Sequence, residues 1–128
     1  MKRILCLPSI AVAFTALAAF AAPAAYGAVL TTQPLEVSGA NRCLECTVVN
    51  VSRRDVTVAI EAVASDGTTT DLGTSVLAPE TATFALAHCD ETGDFICRFD
   101  VTGGRRKVRA AACEFALTLG CQSAAAAQ

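Results

Sequence analysis

The cysteines of this 128-residue chain are unevenly spread. Cys6 lies near the start, while Cys43, Cys46, Cys89, Cys97, Cys113 and Cys121 fall in the remainder. An even number of cysteines in a segment of about 100 residues reads as a disulfide framework. Such frameworks persist where the compartment is oxidising. A domain of that size has a modest core, and each native bridge contributes about 2–4 kcal/mol by restricting the unfolded chain. The cysteines therefore predict a small cross-linked domain that works outside the cytoplasm.

The N-terminus predicts the same compartment independently. Met1-Lys2-Arg3 is basic, Ile4 to Phe20 is apolar apart from Pro8, Ser9 and Thr15, and Ala21 to Ala28 is made mostly of small residues. That is the order of a cleavable signal peptide. Ala25 and Gly27 supply the small side chains a signal peptidase needs, so residues 1–27 are expected to leave. Residues 28–121 form the domain and residues 122–128 a loose tail. A retained anchor is disfavoured, because the segment is alanine-rich and broken by Pro8 and Pro23, whereas a spanning helix needs about 20 strongly apolar residues. No transmembrane anchor is expected after cleavage. Cys6 precedes the apolar run instead of closing it, which argues against a lipoprotein.

Ten Lys+Arg stand against twelve Asp+Glu in the full chain. Lys2 and Arg3 leave with the leader, so eight basic and twelve acidic residues remain, a net charge of −4. A mildly acidic domain does not suit a nucleic-acid partner, whose backbone demands a concentrated positive face.

From Val29 onward the pattern is short apolar runs punctuated by turn residues. Val29 to Val37 reads as an edge strand containing Pro34. Cys43 to Val51 follows, with Leu44, Cys46 and Val48 on one face. Val56-Thr57-Val58-Ala59-Ile60-Glu61-Ala62 alternates with the period of a half-buried strand. Ser65-Asp66-Gly67-Thr68 is a tight turn, and Thr69 to Leu77 is the return strand. Thr81 to Ala87 is expected to face Phe84 and Leu86 inward. Phe95 to Thr102 puts Cys97, Phe99 and Val101 on one face, Gly103-Gly104 turns the chain, and Arg106 to Leu119 closes the domain. About seven strands at this spacing indicate an all-β sandwich stapled by disulfides.

These segments carry a resemblance. Cys46-Thr47-Val48-Val49-Asn50-Val51-Ser52, then Val56 to Ile60, Asp66-Gly67 and Leu77-Ala78-Pro79 resemble immunoglobulin-like or fibronectin-III-like secreted bacterial domains. Cys97 to Gly103 and Val108-Arg109-Ala110 are similar to the end of a group of small exported bacterial proteins. The resemblance implies an immunoglobulin-like β-sandwich in the periplasm or outside the cell. It implies no catalytic residue, and the core tryptophan of antibody-type domains is missing.

Candidate chemistry is sparse. Cys43-Leu44-Glu45-Cys46 has the spacing of a redox pair or half a zinc site, but it leads into a β-run and not a helix, so structural bridging is favoured. Within an extended strand the two lie about 10 Å apart, too far for a direct bond. Cys89–Cys97 is the expected bridge, closing the loop Asp90 to Ile96. Cys46–Cys113 and Cys43–Cys121 complete the set. His88, the only histidine, would need a nucleophile and an orienting carboxylate to act as a base, and it is expected at the surface. Asp90, Glu91 and Asp94 lie on a solvated loop without the order of an EF-hand. Arg105, Arg106, Lys107 and Arg109 form a basic cluster, suited either to an anionic partner or to guarding a sheet edge. Neither catalytic residue nor cofactor nor metal site is expected. The expected function is a non-catalytic binding, adhesive or structural module facing an envelope polymer or another exported protein. The alternative is a small redox or metal-binding protein using Cys43, Cys46 and His88.

Overall fold

The alternation read at Val56 builds the core. Val56, Val58, Ile60 and Ala62 are all buried; they lie beside Cys97, Phe99 and Val101 of a neighbouring strand and pack in one core with Leu44, Cys46 and Val48 of the other sheet. The computed structural model describes residues 27–128, and the expected leader, Gly27 apart, lies outside them. Among the described residues nine strands run in chain order: β1 (Ala28–Thr31), β2 (Leu35–Val37), β3 (Arg42–Asn50), β4 (Val56–Ala64), β5 (Thr69–Leu77), β6 (Ala82–Ala87), β7 (Gly93–Val101), β8 (Val108–Ala116) and β9 (Gly120–Ala126). One antiparallel sheet has the order β1-β7-β4-β5, with β2 also paired to β7; the other has the order β6-β3-β8-β9. The chain is thus an all-β, two-sheet, disulfide-bonded domain.

The expected edge strand is present but split at Pro34, which has no N–H for the ladder. β1 and β2 both pair with β7, and between them Thr32 Oγ1 accepts the Cys97 N–H at 3.0 Å. In antibody-type sandwiches the first strand lies beside the second and the last beside the sixth. Here those terminal positions are exchanged. β1 and β2 lie beside β7, and β8 lies beside β3.

Three expectations are corrected by strand register. Phe84 and Leu86 face outward, 64% and 39% exposed, because they sit opposite Thr47 and Glu45 on the outer side of β3; Thr83, Ala85 and Ala87 point inward instead. Residues 122–128 are not a loose tail. Most of them form β9, which completes β8's ladder, and Thr32 bridges Ala127 while Gln128 exchanges hydrogen bonds with Thr31. Small alanine side chains and the anchor at Cys121 permit that close return.

The disulfides are the third correction. The bonds are Cys43–Cys89, Cys46–Cys97 and Cys113–Cys121. Cys89–Cys97 fails because Cys97 points into the core from inside β7, where it meets Cys46, whereas Cys89 lies exposed beyond the end of β6, beside Cys43. Cys46–Cys113 fails because Cys46 is opposite Ala112 and Cys113 is opposite Glu45, so the two sulfurs point to opposite faces. Cys43 and Cys121 flank Phe115 on either side of β8, two strand spacings or about 10 Å apart. The bridge that does form at Cys46 ties one sheet to the other through the core, with a Cα–Cα distance of 5.7 Å.

Candidate functional site: an arginine-lined cleft

The glycine pair Gly103-Gly104, at φ 78° and 108°, turns the chain out of β7 into a single 3-10 turn, Arg105–Lys107, before β8 begins. These positive φ values are open to glycine without Cβ strain. The turn places Arg105 and Arg106 at the mouth of a cavity of about 270 Å³, with Arg109 from β8 completing it; Leu30, Val108 and Gln128 are its other lining residues. Leu30 and Val108 are buried and give the cleft an apolar floor. Three of the four residues of the basic cluster therefore converge. Lys107 does not: its side chain lies back over Gly103, where a Cβ would collide with its Nζ.

Among the described residues the ion pairs are Arg42–Glu114, His88–Glu91 and Arg98–Glu61. None involves the cleft arginines. Arg109 donates to the neighbouring Val108 carbonyl at 3.0 Å, which leaves most of its guanidinium free. Among the described residues the three guanidiniums beside this apolar floor are in no ion pair, and each has the geometry to bind a carboxylate or phosphate in bidentate fashion. The basic cluster was legible in the sequence. Leu30 and Gln128 were not, because only the fold brings β1 and the residues after β9 together, through the paired Thr31–Gln128 hydrogen bonds.

The other motifs resolve differently. Cys43 and Cys46 stand on opposite faces of β3, each bridged to a different partner, so they make no dithiol pair and no shared metal site. His88 is not a surface residue. Its side chain is 12% exposed and stacks on Phe95 at 4.2 Å, with Nδ1 at 2.8 Å from Glu91 and Nε2 at 3.5 Å from Thr70 Oγ1. The Thr70 hydroxyl, the His88 imidazole and the Glu91 carboxylate thus stand in sequence. The cluster clamps the β6–β7 connection next to the Cys43–Cys89 bridge. The acidic loop is drawn into the same clamp, with Asp90 accepting the Asn41 N–H and donating its own N–H to the Arg42 carbonyl.

Two buried polar residues organise the ends of the sandwich. Asn50, with no exposed surface, donates through Nδ2 to the carbonyls of Leu77, Ala78 and Arg54, and its Oδ1 accepts from Ser52. Its side-chain amide is inaccessible to glycosylation in the folded chain. Glu114 accepts from the Ser38 N–H at 3.1 Å and pairs with Arg42 at 2.8 Å. Burial pushes its carboxyl up, but the Ser38 and Arg42 donors outweigh that and hold it below the usual glutamate value.

A comparison with protein-family models and with curated proteins finds no match. A crystal structure of Thermotoga maritima 1070 is similar in fold, with a TM-score of 0.56 at 4% identity, covering 78% of this chain and 91% of that one. At that identity the likeness concerns the fold alone.

Proposed function

We propose that the chain is exported and acts, without catalysis, as an immunoglobulin-like binding module. Its Arg105–Arg106–Arg109 cleft engages an anionic group of an envelope polymer or of another exported protein. The inter-sheet Cys46–Cys97 bridge, placed as in antibody domains, supports the immunoglobulin-like reading despite the exchanged terminal strands. The three disulfides and the basic, apolar and small-residue order of the N-terminus support an extracytoplasmic site of action. The observation that carries the binding function is the convergence of three unpaired arginines on one cleft in a chain whose acidic residues outnumber its basic ones. Guarding a β-edge would need only dispersed charge, not guanidiniums gathered round an apolar floor.

Titration with soluble polyphosphate tests this reading. The Arg105→Ser/Arg106→Ser/Arg109→Ser variant is expected to bind at least about tenfold more weakly, a loss of about 1.4 kcal/mol. Wild-type binding is expected to weaken as salt rises. Arg53→Ser, on the loop after β3, should leave binding unchanged. Equal affinity for the triple variant and the wild type would refute the cleft as the site.

A further inference from the structure

The two outer faces of the sandwich differ in kind. The outward face of the β1-β7-β4-β5 sheet carries Glu61, Arg98, Asp100 and Asp71, with Glu61 and Arg98 paired at 3.5 Å. The outward face of the β6-β3-β8-β9 sheet carries Phe84, Leu86, Val49 and Phe115 at positions set by the register, with Phe84 64% exposed. Among the described residues, the register places two charges on it, Glu45 and Arg109. Phe84 and Leu86 stand exposed side by side along the sheet edge, next to the half-buried Val49 and Phe115, an apolar patch of the kind that marks contact sites on monomers.

From this we infer that a second copy of the chain docks on this face to form a two-fold dimer. The placement of the two charges identifies the occupant. Glu45 lies opposite Cys113 and Arg109 lies opposite Val49, so the pair flank the central Thr47–Ala111 rung on adjacent strands. They are roughly 13 Å apart along the strands and of opposite sign. A two-fold axis in the plane of contact, crossing that rung, sets each Glu45 against the other copy's Arg109. Both charges are then satisfied twice in one isologous interface, while Phe84 and Leu86 are covered. Thr47 Oγ1 donates to Glu45 Oε1 at 2.8 Å and holds the carboxylate on the face. The open edge strand β6, Ala82-Thr83-Phe84-Ala85-Leu86-Ala87, bears no charge that would repel a copy. The interface is at the small end for stable dimers, so the dimer dissociates on dilution.

Analytical ultracentrifugation of the disulfide-bonded protein, recovered from an exporting host and run from micromolar to submillimolar concentration, tests this. The wild type is expected to be a reversible dimer. Phe84→Glu should weaken dimerisation about tenfold or more while keeping its three bridges and melting temperature, since Phe84 is exposed. Glu45→Arg should weaken it comparably, and Glu45→Arg/Arg109→Glu should restore it; this pair of variants carries the test if Phe84→Glu does not fold. Glu45→Arg leaves the arginine cleft intact and should still bind polyphosphate, which separates failure of the dimer from failure of the cleft. A monomer at the highest concentration, a dimer indifferent to Phe84→Glu, or a charge swap that fails to rescue would each overturn the inference.

Discussion

Replacing Asn50 by alanine is expected to cost about 3–5 kcal/mol of stability, read as a fall in the urea midpoint. The Asn50 amide ties together the ends of three segments. Its Nδ2 reaches the Leu77 carbonyl at 2.9 Å, the Ala78 carbonyl at 3.1 Å and the Arg54 carbonyl at 2.8 Å, and its Oδ1 takes the Ser52 N–H at 2.9 Å. A typical hydrogen bond contributes about 1 kcal/mol net, but a buried partner left unsatisfied costs about 1–3 kcal/mol. Truncation leaves the buried Leu77 carbonyl without this donor and removes the side-chain link between the loops 51–55 and 78–81. Asn50→Asp keeps the acceptor but loses the donor and buries a charge, so it should cost at least as much. Ser52→Ala removes one hydroxyl and should cost about 1 kcal/mol. A loss below about 1 kcal/mol for Asn50→Ala would mean that the loops are held by something else.

Removing the inter-sheet bridge is expected to have a comparable or larger effect. Cys46 and Cys97 are 51 residues apart in sequence, whereas Cys113 and Cys121 are 8 apart. Loop-closure entropy then assigns roughly 4 kcal/mol to the first bridge and roughly 2.5 kcal/mol to the second. The first also sits in the core with both cysteines fully buried, so Cys46→Ala/Cys97→Ala leaves a void as well. That double variant should be unfolded or close to it at 37 °C. Cys113→Ala/Cys121→Ala, which affects only the outer β8–β9 hairpin, should still melt cooperatively at a lower temperature. Thermal unfolding by circular dichroism compares them. Equal losses from the two would deny the core bridge its special weight.

Much of the fold was legible because strand alternation is a local property. Thr69–Leu77 and the buried positions of β4 and β7 follow directly from period-two patterning and from the turns at Asp66-Gly67 and Gly103-Gly104. The errors lie where the answer depends on which strands are neighbours. Phe84 and Leu86 look like core residues until the pairing of β6 with β3 decides the phase of the alternation. The tail Gln122 to Gln128 has no β-propensity to advertise itself, and it is ordered by its ladder and its bridge. Cys89 and Cys97 are close in sequence, yet the chain changes sheets between them. In the candidate site the arginines were visible as a cluster, but the apolar floor under them comes from strands distant in sequence. His88 looked isolated because Thr70 and Phe95 reach it only through the fold.

Non-reducing peptide mapping by mass spectrometry on the exported protein tests this architecture most directly, because all three bridges depend on the sheet order and register. The expected result is Cys43 joined to Cys89, Cys46 to Cys97 and Cys113 to Cys121, with no free thiol among the six. A Cys89–Cys97 or Cys46–Cys113 peptide would contradict it, since Cys97 points into the core away from the exposed Cys89, and Cys46 and Cys113 point to opposite faces of their sheet.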